Sequence, residues 1–184
     1  MAAAMSKDDF LNDWKKHPMR KPKVASLILH CSVGESGEAL ERVRKIIESI
    51  SRMKTKETRA KRTFREFGIR KGEPIGAMVT IRDQQKIKDL IPRLFDVRDN
   101  KISRRAFDRE GNFGFGIREH IDIPGTKYDP NLGVTGLDVL IRLERPGYRV
   151  KRRFRSPKKI PVKHRISREE AIVFAETELG LIVE

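Results

Sequence analysis

Val24-Ala25-Ser26-Leu27-Ile28-Leu29-His30-Cys31-Ser32-Val33 decides the fold. Leu27, Leu29, Cys31 and Val33 fall on one side of an extended chain, and Ser26, Ile28, His30 and Ser32 on the other. A period of two predicts a strand with one buried face. Gly34-Glu35-Ser36-Gly37 then turns the chain into a helix expected over 38–53. Leu40, Val43, Ile47 and Ile50 form its apolar stripe, widened by Ile46 and Met53, while Glu41, Arg42, Arg44, Lys45 and Glu48 face away. A one-faced strand and a one-striped helix bury each other, which sets an α+β layer arrangement.

Outward from this pair the pattern repeats. Ile75, Ala77, Val79 and Ile81 alternate with Gly76, Met78, Thr80 and Arg82, predicting a strand over 75–82. A helix follows over 83–95 with Ile87, Leu90, Ile91 and Leu94 inward, kinked or ended by Pro92. Phe113, Phe115, Ile117, Ile121 and Ile123 give a long alternating run, opposed by Gly114, Gly116, Arg118, His120 and Asp122. Leu137, Val139, Ile141 and Leu143 give another strand over 135–143, reached through the turn formers Pro124-Gly125 and Asp129-Pro130-Asn131. At the start, Ser6 caps a helix over 7–16 that ends at Pro18. At the end, Ser167-Arg168-Glu169-Glu170 opens a last helix as a capping box, and Gly180 closes it. One-sided strands interleaved with helices predict a mostly antiparallel sheet with helices on one face. The expected organisation is a single domain over 1–184, with an N-terminal half at 20–74, a C-terminal half at 75–168 and a terminal helix at 167–180.

Charge narrows the function. Lys and Arg number 41 against 26 Asp and Glu, a formal net charge of +15. Such an excess repels itself in the compact state and calls for a polyanionic partner. It concentrates in two places. Lys54, Lys56, Arg59, Lys61, Arg62, Arg65, Arg70 and Lys71 lie among turn residues after the long helix. From Arg145 to Arg168 there are eleven Lys or Arg and no carboxylate. Pro146, Pro157 and Pro161 argue against a helix there, so that segment is expected as an extended basic arm. Tyr148 and Phe154 interleave with Arg149, Lys151, Arg152, Arg153 and Arg155, offering stacking beside charge, and Lys158 and Lys159 extend the run. The even-numbered strand face, with Ser26, His30, Thr80, Arg82, Arg118 and His120, is the third candidate RNA surface; Gly76, Gly114 and Gly116 would let a backbone approach it.

Other chemistries lack their residues. Cys31 is the only cysteine, so no intramolecular disulfide forms, which fits a reducing cytoplasm. The four histidines have no metal-ligand spacing, and neither a metal nor a cofactor is expected. No apolar run approaches the ~20 residues of a membrane span. Met1-Ala2-Ala3-Ala4-Met5 leads into Ser6-Lys7-Asp8-Asp9, too polar for a secretory leader. Gly111-x-x-Gly114-x-Gly116 lies inside a strand pattern at the wrong spacing for a dinucleotide loop. His30 and Cys31 are adjacent on one strand and point apart, so they form no nucleophile–base pair. No catalytic residue is expected, and an RNA-processing or RNA-modifying enzyme is the rival reading.

Several ordered segments carry a resemblance. They are Val33-Gly34-Glu35-Ser36-Gly37, Thr58-Arg59-Ala60-Lys61, Phe67-Gly68-Ile69-Arg70-Lys71-Gly72-Glu73-Pro74-Ile75-Gly76, Gly111-Asn112-Phe113-Gly114-Phe115-Gly116-Ile117, His120-Ile121-Asp122-Ile123-Pro124-Gly125 and Glu144-Arg145-Pro146-Gly147-Tyr148-Arg149-Val150. From His17-Pro18-Met19-Arg20 to the C-terminus the chain resembles the universal large-subunit ribosomal protein of the central protuberance, in its archaeal or eukaryotic form. The resemblance implies a structural protein of the cytoplasmic ribosome that binds 5S rRNA on its sheet and first-strand side. Expected 5S-binding positions are Arg20, Ser26, His30, Ser32, Thr80, Arg82, Gly114, Gly116 and Arg118. It also implies that the basic loop, with Lys54, Lys56, Thr58, Arg59, Lys61, Arg62 and Arg65, reaches the elbow of the P-site tRNA. Further implied partners are large-subunit rRNA, neighbouring large-subunit proteins and a small-subunit head protein at an inter-subunit bridge. The chain departs from the family pattern at His30-Cys31-Ser32, where Asn-hydrophobic-Gly is usual, and at Arg52-Met53-Lys54-Thr55, where Gly-Gln-x-Pro is usual.

Overall fold

The structure, a computed structural model, describes residues 6–184; the opening residues 1–5, read above against a secretory leader, lie outside the described residues. The described chain is α+β and divides into two compact units. One comprises 26–99 and 114–140, the other 6–25, 100–113 and 141–184.

The first unit is built on the sheet. Strands β1 (Lys23–Ser32), β2 (Lys56–Arg59), β3 (Pro74–Ile81), β5 (Phe113–Ile117) and β6 (Leu137–Glu144) form a mostly antiparallel five-stranded sheet in the order β2-β3-β1-β6-β5. The register sets Leu27 against Ile81, Leu29 against Val79 and Cys31 against Ala77, so the odd-numbered positions of β1 and β3 share one face. Those residues are buried. Helices α2 (Glu38–Ser51) and α3 (Gln84–Asp96) cover them with Leu40, Val43, Ile46, Ile47, Ile50, Ile87, Leu90, Ile91, Leu94 and Phe95, all buried. Phe95 of α3 meets Phe115 of β5 at 5.4 Å between ring centres. Each fully buried Leu or Ile contributes about 1.5–3 kcal/mol relative to exposure, so this face holds the unit together.

One expectation is narrowed here and another fails. Pro92 does not end α3, since the helix continues to Asp96; the apolar stripe through Leu94 and Phe95 keeps the last turn packed. The long alternating run does not stay extended to Ile123. β5 stops at Ile117, and His120–Asp122 form a 3-10 turn. His120 is therefore buried, with Nδ1 accepting the Thr135 N–H at 3.3 Å, and it does not join the open strand face. The Thr126 hydroxyl donates toward the His120, Ile121 and Ile123 carbonyls and holds this turn.

The second unit has its own core. Helix α1 (Lys7–Lys16) starts with a capping box in which Ser6 and Asp9 satisfy each other's backbone N–H. Its Phe10 and Trp14 are buried, and Trp14 meets Phe174 of α5 (Arg168–Glu178) edge-on at 6.2 Å. Two strands of two residues each, β4 (Lys101–Ile102) and β7 (Ile182–Val183), pair in parallel. Sequence periodicity cannot find strands this short.

The segment from Arg145 to Arg168 belongs to this unit and folds back on itself instead of extending. It contains a single helical turn, α4 (Arg149–Arg152), and a 3-10 turn at Val162–His164. Arg145 is buried and donates to Glu170 Oε1 at 2.5 Å, an oxygen that also accepts Trp14 Nε1–H at 3.1 Å. Ile160 and Ile166 are buried, the Tyr148 hydroxyl donates to the His164 carbonyl, and Lys158 N–H donates to the Val150 carbonyl at 3.2 Å. Prolines do exclude a continuous helix; these scattered anchors close the loop all the same. Ser167 caps α5 by accepting Glu170 N–H, but the Glu170 carboxylate turns to Arg145 and Trp14 and does not return to the cap.

Candidate nucleic-acid interface

The face of the sheet away from α2 and α3 carries the even-numbered side chains. Ile28, His30, Met78 and Thr80 are half-buried and Ser32 is exposed. The register brings Ile28 opposite Thr80, His30 opposite Met78, and Met78 opposite Lys56, so one row across β1, β3 and β2 ends on a cation. Asp138 lies beside His30, with 3.8 Å between its Oδ2 and the ring Nδ1. Arg82 and Arg118 are exposed just beyond β3 and β5. Ser26 differs from the rest: at 5% exposure it is packed away and presents no hydroxyl to a partner. Arg20 belongs to the other unit and pairs with Asp13 at 2.7 Å. Behind the face, burial pushes the Cys31 thiol up, with a smaller push from Asp138, so the thiol stays protonated near neutral pH.

The three glycines expected to admit RNA divide into two kinds. A Cβ at Gly76 would stand 2.6 Å from the Cys31 carbonyl oxygen and 2.7 Å from Thr58 Oγ1. At Gly114 it would stand 2.8 Å from the Val139 carbonyl oxygen. Both positions are glycine because neighbouring strands crowd them, an internal requirement. At Gly116 the nearest atom is Asp138 Oδ1 at 3.6 Å, an ordinary contact, and this residue is exposed. Only Gly116 is left without a packing reason, so it is the one whose missing side chain opens the face outward.

The basic segment after α2 is a closed hairpin and not a formless loop. Glu48 Oε1 accepts both Thr55 N–H and Thr55 Oγ1–H at 3.0 Å, tying the end of α2 to the start of β2; these bonds hold its carboxyl below the usual range. Ala60 and Gly72 bond back across the hairpin stem, Phe64 bridges Ile69, and Gly68 turns with φ +67. The Glu73 carboxylate accepts Arg70 N–H at 2.9 Å and Ser36 Oγ–H at 2.7 Å, and in that order these bonds lower its pKa. On this frame Lys54, Lys56, Arg59, Lys61, Arg62 and Arg65 are exposed and Thr58 is half-buried. Among the described residues none of these cations has an ion-pair partner. Sequence reasoning missed Phe64 and Phe67, which are 51% and 74% exposed between these cations. Their signal was available: two aromatics in a polar run with no apolar period have no core to enter.

Arg149, Lys151, Arg152, Arg153, Arg155, Lys158 and Lys159 are all exposed on the folded-back loop. Two are engaged internally, Arg152 with Glu144 at 2.5 Å and Arg153 with the Ser156 carbonyl at 2.9 Å. Tyr148 and Phe154 part company. Burial pushes the Tyr148 phenol pKa up, whereas Phe154 is 99% exposed beside Arg153 and Arg155. Among the described residues no group of three or more His, Cys, Asp or Glu could hold a metal ion, and no helix is long and apolar enough to cross a membrane.

The chain matches known proteins over most of its length. Residues 17–70 match the family model described as Ribosomal protein L5, and residues 74–174 match the model of the C-terminus of that same ribosomal family. The chain is 41% identical to the large ribosomal subunit protein uL5 of Aeropyrum pernix, over 94% of this chain and 90% of that one. Against the protein of the same name from Methanosphaera stadtmanae it is 42% identical, covering 90% of this chain and 98% of the relative. Against that of Methanococcus aeolicus it is 41% identical, covering 96% and 98%.

Proposed function

The chain belongs to the ribosomal protein L5 family, and on that premise we propose that it is a structural constituent of the large subunit of the cytoplasmic ribosome, held there by rRNA and neighbouring large-subunit proteins. The family consists of structural proteins, so the rival reading as an RNA-processing or RNA-modifying enzyme falls away.

Within that role, 5S rRNA is the ligand of the open sheet face. His30, Ser32 and Thr80 supply hydrogen bonds, Arg82 and Arg118 meet phosphates at its margin, and Gly116 admits the backbone. Arg20 adds a phosphate contact from its own unit. The hairpin from Lys54 to Lys71 reaches the elbow of the P-site tRNA, with Arg59, Lys61, Arg62 and Arg65 as phosphate contacts. The cations of the folded-back loop meet large-subunit rRNA, and a small-subunit head protein meets this chain at an inter-subunit bridge. The observation that carries the reading is the sheet face that bears His30, Ser32 and Thr80, next to a hydrogen-bonded hairpin whose exposed cations have no ion-pair partner among the described residues. Unpaired cations on an ordered frame are pre-placed for phosphates, and each contact releases counterions from the RNA.

Replacing Arg59, Lys61 and Arg62 together with Ala separates the two RNA roles. Binding of isolated 5S rRNA is expected to stay within about twofold, while retention of P-site tRNA by ribosomes carrying the variant falls by about tenfold or more, as expected for several lost phosphate contacts. Equal loss of both would show that the hairpin serves 5S rRNA.

A further inference from the structure

On strand β6, Leu137 and Val139 are buried against the helices, whereas Asp138 and Leu140 turn to the open face of the sheet. The Asp138 side chain is 63% exposed and Leu140 is 45% exposed. Among the strand positions of the unit formed by 26–99 and 114–140, Asp138 is the only carboxylate on that face. An acid on a face meant for phosphates repels its own ligand, so its place there needs a reason. The neighbouring strands leave it free. Toward β5, its Oδ1 lies 3.6 Å from where a Cβ at Gly116 would stand, so bare backbone flanks it. Toward β1, its Oδ2 is 3.8 Å from His30 Nδ1, too far for a hydrogen bond. Among the described residues neither oxygen accepts a hydrogen bond. Leu140 lies over the other glycine of β5, its Cδ2 standing 2.5 Å from where a Cβ at Gly114 would be. Arg118 is exposed just beyond β5. An accessible acceptor pair, an uncovered backbone, an apolar side chain and a cation therefore lie together on one unit.

A carboxylate only accepts, through two oxygens side by side. The Watson–Crick edge of guanine presents two adjacent donors to match them, N1–H and the N2 amine. Adenine and cytosine present one amine beside a ring nitrogen that is itself an acceptor, and uracil presents one N–H between two carbonyls. Each of these sets lone pairs against the second oxygen. A ribose hydroxyl satisfies one oxygen only. We propose that Asp138 reads one unpaired guanine of 5S rRNA, its two oxygens accepting from N1–H and the N2 amine, with Leu140 against the base and Arg118 on the phosphate. The RNA backbone crosses the sheet at Gly116, which brings the base edge of that nucleotide beside Asp138. Unstacked bases hydrogen-bonded on their Watson–Crick edges are the usual basis of sequence-specific RNA recognition. The inference rests on the proposed 5S role of this face and adds a base-reading residue to it.

Affinity of the full chain for isolated 5S rRNA tests it, because charge and base reading predict opposite signs. Asp138→Asn removes a negative charge, so a merely solvated Asp138 would leave binding unchanged or tighten it. The proposal expects binding about tenfold weaker, the scale of a hydrogen bond to a charged group. The side chain is exposed, so the variant should unfold at the wild-type urea midpoint. A second measurement needs no variant of the protein. Inosine, which lacks the N2 amine, is placed at random for guanosine in 5S rRNA, and the bound fraction is sequenced. RNA bound by the wild-type chain should be depleted of inosine at one unpaired position, and RNA bound by Asp138→Asn should show no depletion there. Unchanged or tighter binding by Asp138→Asn would overturn the guanine site and leave the 5S role of the sheet standing. So would the absence of any inosine-sensitive unpaired position, or the same depletion with both proteins. Failure of the wild-type chain to bind 5S rRNA would overturn both readings.

Discussion

Arg145 and Glu170 are the two charges most completely removed from water, with side chains 6% and 2% exposed. Glu170 also holds Trp14 by its indole N–H, so a helix cap, a loop base and the first helix converge on one carboxylate. Removing one partner of such a pair leaves a buried charge uncompensated. Arg145→Met should destabilise the protein by about 3–5 kcal/mol, read as a lower urea midpoint with Trp14, the only tryptophan, as the fluorescent reporter. A change under about 0.5 kcal/mol, the scale of a surface substitution, would show that the pair is not structural. The glycines give a second contrast. Gly114→Ala should cost about 1–3 kcal/mol by crowding against β6, whereas Gly116→Ala should fold with wild-type stability and weaken RNA binding. Equal stability of the two variants would contradict the division between internal and outward-facing glycine. The tie between Glu48 and Thr55 also bears on Arg52-Met53-Lys54-Thr55, since a carboxylate from α2 closes the stretch where the family more often has Gly-Gln-x-Pro.

At the scale of elements, the hairpin has a pH dependence with a defined sign. Hydrogen bonds from Arg70 N–H and Ser36 Oγ–H favour the ionised form of Glu73, so its folded pKa lies below its unfolded value. The stabilisation is therefore present above the ordinary carboxylate range, near pH 4.3, and is lost as pH falls through the folded value. Protection of the Arg70 amide against hydrogen exchange, relative to an unstructured peptide, should fall on acidification from about pH 6 to 3. In Glu73→Gln it should be low and flat throughout. Persistence of the pH dependence in that variant would assign it to another group. Elements with a strong period were legible from sequence: β1, β3 and α2 appear within about two residues of their expected bounds, and α5 was legible from its capping serine and Gly180. The run from Phe113 to Ile123 was not, because alternation of Ile121 and Ile123 with polar residues is compatible with a turn that buries His120. The segment from Arg145 to Arg168, expected as an extended arm, is closed by contacts between residues far apart in sequence, which periodicity does not report.

At the scale of the whole molecule, the net charge of +15 announces a polyanion, and the structure distributes that charge onto ordered surfaces. The face of the sheet with His30 and Thr80 was readable from the alternation of Leu27 to Cys31 and Ala77 to Ile81; which of its residues stay accessible was not, as Ser26 shows. The central claim is that this protein grips folded RNA through cations and close approach. Affinity of the full chain for isolated 5S rRNA, measured across salt concentration, tests it most directly. The account predicts a straight fall of log affinity with log salt, amounting to about a thousandfold loss between roughly 50 and 200 mM if six or more phosphates are neutralised, and a shallower line when Arg82 and Arg118 are replaced by Ala. An affinity that stays flat over that range, or that the double replacement leaves untouched, would contradict it.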